Sequence, residues 1–153
     1  MENKKEMVVS AIENGTVIDH IATESVYQAI RILGLEQYKD EVLIGNYLRS
    51  DKLGRKGIIK IKNKHFSVEE VSKIALVAPF ASIIDIEDYK VVRKFNAEIP
   101  EHIGSFVRCA NPKCITNAEA VPTQFDVVDK DPLKLRCHYC EKFTTMETMK
   151  FVE

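Results

Sequence analysis

The sequence predicts an α+β chain in two parts: a ferredoxin-like domain over residues 1–100 and a small all-β, four-cysteine domain over residues 101–153. Three observations carry that expectation. Strand-like and helix-like stretches follow one another as β-α-β-β-α-β with one extra strand, and two amphipathic helices need one sheet to cover. A polar, proline-marked segment at 96–101 then breaks the pattern. Beyond it lie all four cysteines, in a 53-residue stretch too small to build a sufficient apolar core unaided.

Taken in order, residues 1–8 are mostly polar and predict a mobile tail. Residues 15–21 are rich in β-branched side chains and predict a strand. Val26, Ala29, Ile30 and Leu33 recur at helical spacing, and Gly34 stands where a C-terminal cap belongs. Residues 41–48 predict a second strand, followed by a turn-rich stretch at 49–54. In residues 57–62, Ile59 and Ile61 alternate with Lys60 and Lys62, the mark of a half-buried strand. Ser67 and Glu70 form an S-x-x-E capping box, Val71, Ile74, Ala75 and Ala78 supply an apolar stripe, and Pro79 stops the helix. Residues 82–86 and 89–95 predict two further strands around a Glu-Asp turn. In the last third, Phe106, Val107, Phe125, Val127, Val128, Leu133, Leu135 and Phe143 fit short strands hung on a metal.

The charge balance excludes one broad class. Formal net charge is −1, with 15 basic and 15 acidic side chains in residues 1–100 and 7 and 8 in the remainder. Nucleic-acid binding is disfavoured without a basic excess. No apolar run is long enough to span a membrane, and nothing at the N-terminus reads as a signal peptide. A cytoplasmic protein is the expectation.

The cysteines are spaced C-x4-C, a 22-residue gap, then C-x2-C: Cys109, Cys114, Cys137 and Cys140. Two short loops of this kind can point four thiolates at one tetrahedral centre, which suits zinc. A rubredoxin-like iron centre uses the same ligands. Disulfides are the weaker reading, because intracellular thiols stay reduced. Four protein ligands leave no position for water or substrate, so the expected role is architectural. His138, inside the second pair, is read as a solvated residue and not a ligand.

No catalytic constellation stands out. There is no G-x-S-x-G, Walker loop, H-E-x-x-H or glycine-rich dinucleotide turn. Asp19-His20 at a strand end has the side chains of an acid/base pair, but an ordinary surface position is the favoured reading. The run Lys52, Arg55, Lys56, Lys60, Lys62, Lys64 is locally dense. A charge run is usually a solvated face, yet alternation projects Lys60 and Lys62 together, and a compact anion such as a triphosphate is one reason to place them so. Lys90, Arg93 and Lys94 on the last strand could close on the same ligand.

These segments together carry a resemblance. Gly15-Thr-Val-Ile-Asp-His-Ile21, Gly54-Arg-Lys56, Ile59-Lys-Ile61, Leu76-x-Ala-Pro79, Cys109-x4-Cys114-Ile with Ala118-Glu119, and Cys137-x-Tyr-Cys-Glu141 resemble the regulatory chain of aspartate carbamoyltransferase over essentially the full length. The resemblance implies a non-catalytic subunit that binds CTP, ATP or UTP through its first domain. Its zinc domain would dock on the catalytic chain, which joins carbamoyl phosphate to aspartate in pyrimidine synthesis. It also implies a regulatory homodimer within a dodecamer of six catalytic and six regulatory chains. Carried over by position, Val9, Ala11 and Ile12 line the base and ribose side, and Asp19 and Lys60 reach ribose and base. Ile86, Tyr89 and Val91 flank the pocket, and His20 and Lys94 reach the phosphates. Asn111, Lys113 and Glu141 mark the partner surface.

Three positions depart from a familiar member of that family. Ser10 replaces a glutamate, Ile84 an asparagine and Lys113 an asparagine. Ile84 cannot hydrogen-bond through its side chain, so base discrimination is expected to differ. The rival class is an RNA-recognition fold, which shares the element order but stacks bases on aromatics from two central strands. The stretches 16–20 and 58–62 contain no Phe, Tyr or Trp. An enzyme in its own right is the second rival, separable by assaying the purified chain for carbamoyl transfer.

Overall fold

The β-branched run Gly15–Ile21 forms β1, the middle strand of a five-stranded antiparallel sheet. The computed structural model describes residues 11–152; the expected tail at 1–8, Val9 and Ser10 lie outside the described residues. The chain divides between Glu98 and Ile99 into two compact units.

In the first unit, β1 is followed by α1 (Val26–Ile32), β2 (Val42–Ser50), β3 (Gly54–Lys62), α2 (Val68–Val77), β4 (Ser82–Glu87) and β5 (Lys90–Asn96). The sheet order β2-β3-β1-β4-β5 is the ferredoxin-like arrangement with β5 added at one edge. Gly57, Ile59 and Ile61 share one face of β3. A Cβ added at Gly57 would strike Val26 of α1, so helix and strand approach closely on this face. Ile18, Ile59, Ile61 and Ile83 are essentially inaccessible, and each such side chain removed from water stabilises by about 1.5–3 kcal/mol. α1 is too short to hold itself helical in water; burial of Val26, Ala29 and Ile30 stabilises it. Gly34, at φ 68°, ends it in the left-handed conformation.

α2 begins on its capping box. Ser67 Oγ accepts from Glu70 N at 3.2 Å, while Ser67 N donates to Glu70 Oε1 at 3.0 Å. Two details of the hairpins differ from the sequence expectation. The turn expected at 49–54 is narrower, because β2 runs to Ser50 and pairs with Gly54, leaving a tight turn at 51–53 stabilised by Leu53 N donating to Ser50 Oγ. The β4–β5 turn is centred on Asp88 and Tyr89, at φ 55° and 64°. Neither is glycine, and the segment just before β1 holds them: Asp88 N donates to the Asn14 side-chain Oδ1 and Tyr89 N to Glu13 O.

The second unit contains β6 (His102–Gly104), β7 (Val107–Arg108), α3 (Ile115–Ala118), β8 (Gln124–Lys130), β9 (Leu133–Cys137), β10 (Phe143–Thr145) and β11 (Lys150–Phe151). The order β10-β9-β8-β6 forms one antiparallel sheet, and β11-β7 a two-stranded ribbon. Val107, Phe125, Leu133 and Leu135 are buried with three of the four cysteines. Two expected core residues are half exposed. Val128 sits at a bulge where the β8–β9 register shifts between Val127 and Asp129, and Phe143 lies beneath the Lys134 ammonium at 4.1 Å.

Candidate functional site

Register fixes what the open face of the first sheet presents. On the face opposite Ile59 and Ile61, Lys60 of β3 pairs with Val17 of β1, Val17 with Ile84 of β4, and Ile84 with Lys94 of β5. Cross-strand partners point the same way, so two lysines stand at the ends of a row floored by Val17 and Ile84. Three strand spacings separate their backbones, roughly 14 Å. One row along the strands, Asp19 pairs with Ser82 and Ser82 with Asn96; on the other side, Gly15 pairs with Ile86 and Ile86 with Val91.

Of the residues expected around a nucleotide, the sheet therefore brings Asp19, Lys60, Ile86, Val91 and Lys94 onto one face. Ile12 is buried and Ala11 exposed beside it in sequence. Tyr89, 66% exposed, stands in the turn that closes this edge. His20 follows Asp19 at a β-bulge, at φ 60°, with its N–H donating to Asp19 Oδ1 at 2.6 Å. Its Nδ1 lies 3.4 Å from Ser82 Oγ. Val9 lies outside the described residues.

The electrostatics of this face favour an anion. Burial holds the His20 imidazole below its ordinary value; Asp19 acts against this, and Lys56, Lys52 and Lys94 act with it. Lysines from three places in the chain thus bear on one histidine. Burial also lowers the Lys60 value, against the pull of Asp19, so Lys60 is a desolvated cation where an added negative charge is favourable. Two participants escaped the sequence selection. Lys56 places its Nζ 2.8 Å from Asp19 Oδ1, and Ser82 contacts His20. The signal for Lys56 was its parity: residues 56 and 60 lie on the same face of β3.

In the second unit, the short loop after β7 and the turn after β9 converge four sulfurs. The Sγ atoms of Cys109, Cys114, Cys137 and Cys140 all lie within 4.8 Å of one another. Cys109–Cys140 and Cys114–Cys137 are each 3.7 Å apart. Those distances exclude disulfides and match the edge of a tetrahedron with metal–sulfur arms of about 2.3 Å. Thr116 Oγ1 and Tyr139 N donate to Cys114 and Cys137 sulfur at 3.2 and 3.4 Å, as thiolates require. Burial pushes the Cys109 and Cys137 thiols up. At Cys140 burial has the same tendency, but hydrogen bonds from Asn111, the Lys142 backbone and neighbouring cysteines outweigh it and bring the thiol to about 7. His138 is exposed, packs edge-on against Tyr139, and is not among the clustered ligands.

The cluster joins the two loops that carry the expected partner residues. Lys113 N donates to Asn111 Oδ1 at 3.1 Å. Glu141, at φ 64°, closes the second loop by donating its N–H to Cys137 O. α3, which starts directly after Cys114, has no clear forerunner in the sequence pattern.

Comparison with known proteins follows the same division. Residues 7–98 match the family described as aspartate carbamoyltransferase regulatory chain, allosteric domain, and residues 101–150 the one described as its metal binding domain. The chain is 53% identical over 144 residues to the aspartate carbamoyltransferase regulatory chain of Pyrococcus horikoshii, covering 93% of each. It is 50% identical over 141 residues to that of Bacteroides thetaiotaomicron, covering 92% of each, and 46% identical over 151 residues to that of Bacteroides fragilis, covering 99% of each.

Proposed function

Because the chain belongs to the family of aspartate carbamoyltransferase regulatory chains, we propose that it senses nucleoside triphosphates in the cytoplasm and transmits their binding to a catalytic chain. Residues 1–100 are the nucleotide-binding part and residues 101–153 the zinc-binding, docking part. The observation that carries this is the row Lys60–Val17–Ile84–Lys94 on the open sheet face, with Asp19 and His20 beside it. An extended ligand with a polar ring at one end and phosphates at the other suits two cations held apart over an apolar floor. Asp19 and Lys60 take the ribose and base; His20 and Lys94 take the phosphates. Ile84 in that floor offers no hydrogen bond, so base discrimination rests on neighbouring groups.

Cys109, Cys114, Cys137 and Cys140 hold zinc, whose closed sulfur shell supplies architecture and no reaction step. The metal fixes the loops that bear Asn111, Lys113 and Glu141, which meet the catalytic chain. Regulatory chains pair as homodimers and bridge catalytic chains into a dodecamer. The reaction under control is condensation of carbamoyl phosphate with aspartate, in pyrimidine biosynthesis. Titrating CTP, ATP and UTP into the reconstituted holoenzyme tests the whole reading. A change in aspartate saturation that needs this chain supports it; catalytic activity indifferent to nucleotide in the presence of this chain rejects it.

A further inference from the structure

One pair of charges in the second unit is placed against its own electrostatics. Arg108 on β7 and Lys150 on β11 are direct cross-strand partners in a two-stranded ribbon. Partners of this kind project to the same side, and like charges directly opposite one another destabilise a strand pair. The ribbon is short and its inner positions, Val107 and Phe151, are the ones turned to the core. Among the described residues, neither Arg108 nor Lys150 makes an ion pair.

Both cations line one cavity of about 470 Å³, whose other walls are Cys109, Ala110, Pro112, Asn117 and Thr148. The wall is stiff. Asn117 Nδ2 donates to Cys109 O at 3.0 Å and Asn111 O at 2.8 Å, and Ala110 N donates to Thr144 Oγ1 at 3.1 Å. The cavity is therefore built on the cysteine loop, lined by two exposed cations together with apolar carbon from Ala110 and Pro112.

We propose that this cavity is a seat for an acidic side chain, Asp or Glu, presented by the catalytic chain. The proposal rests on the docking role given above to the second unit. It adds the residues and the partner chemistry, neither of which was among Asn111, Lys113 and Glu141. The occupant is a protein carboxylate because exposed cations hold a small free ion weakly in water. They gain strength only when a second surface covers them and excludes solvent. Pro112 and Asn111 belong to the same loop as Lys113, so a partner seated on that loop covers this cavity too. A carboxylate between Arg108 and Lys150 also removes the repulsion within the ribbon, so docking and ribbon pairing reinforce one another.

The test uses full-length chain and the catalytic chain from the same organism, with association measured by sedimentation across a sodium chloride series. Three proteins are compared: wild type, Arg108→Gln/Lys150→Gln and Arg108→Glu/Lys150→Glu, each checked for bound zinc. The neutral pair is expected to associate about tenfold more weakly at low salt and to show a shallower salt dependence, with zinc retained. The reversed pair is expected to associate more weakly still. Wild-type association that neither variant changes would overturn this proposal alone. So would inorganic phosphate at millimolar concentration binding to wild type, but not to the neutral pair, while association stays equal: that marks a small-anion site. Failure of the wild type to associate at all would overturn the docking role and this proposal together.

Discussion

Lys56 Nζ lies 2.8 Å from Asp19 Oδ1, with side chains 19% and 17% exposed. Asp19 Oδ1 also accepts the His20 N–H at 2.6 Å. One carboxylate oxygen is thus engaged twice by the protein, while Oδ2 lies 4.0 Å from His20 Nδ1 and keeps lone pairs with which to accept a hydroxyl. The pair ties β3 to the bulge in β1 and fixes the histidine that follows. Asp19 is a positioning residue for His20 as well as the residue proposed to meet ribose.

Asp19→Asn therefore acts on two levels. It leaves the half-buried Lys56 ammonium without its counter-charge, which costs about 1–2 kcal/mol of stability for a partly screened pair. It also loosens the His20 backbone. Urea denaturation is expected to show a lower midpoint with unchanged slope, and nucleotide affinity is expected to fall. An unchanged midpoint would show that Lys56 and Asp19 do not support one another in solution.

Lys60→Ala and Lys94→Ala are each expected to weaken nucleoside triphosphate binding by about 1–3 kcal/mol, the loss of one charge-assisted hydrogen bond. Calorimetric titration reads this directly. Bound zinc should be unchanged in both, since each lies on the sheet of the first unit. Equal affinity for both variants and wild type would place the ligand away from the Lys60–Lys94 row.

Much of this was legible in the chain because it is local. The β-branched run gave β1 its bounds, Ser67 and Glu70 marked the start of α2, and cysteine spacing marked the sulfur cluster. What escaped depends on pairing between distant strands. Tyr47 and Tyr89 adopt positive φ with no glycine to announce it; Asn46 Oδ1 accepting from Tyr47 N, and Glu13 O accepting from Tyr89 N, hold them there. Val128 looked like core by composition, and a bulge turns it outward. Lys56 looked like one member of a basic run until β1 and β3 were in register. The contact of Thr16 Oγ1 with both Lys64 O and Asp85 Oδ1 spans strands that no short window contains.

The proposed contact of His20 with phosphate predicts a pH-dependent nucleotide affinity. Its value in the free protein is held down, first by burial and then by the lysines around it. A group with a depressed histidine value stabilises the fold above the unfolded value and loses that contribution as pH falls through its titration. Phosphate beside the imidazole acts in the opposite sense and raises its value, so binding takes up a proton. Affinity should then increase from about pH 8 to about pH 6. The γ-phosphate takes up its own proton near that range, so the comparison is with His20→Gln, in which the increase should shrink. Parallel pH profiles for wild type and variant would rule out a phosphate contact by His20.

Metal removal separates the two halves of the chain. Allostery requires two sites and a difference in their contacts between two global states. Here the proposed nucleotide face belongs to the sheet of β1, β3, β4 and β5, and the sulfur cluster to the loops after β7 and β9. Burial raises the Cys109 and Cys137 thiols, so ligation must release protons, and metal affinity should fall as pH falls. A thiol-directed mercurial is expected to strip one zinc per chain and collapse mainly residues 101–153, as is Cys140→Ser. The catalytic chain should then come free with its activity intact and its nucleotide response lost. The stripped regulatory chain should still bind nucleotide, because no cysteine lies in the first unit. Loss of nucleotide binding as complete as the loss of the catalytic partner would show that the two units do not divide these tasks.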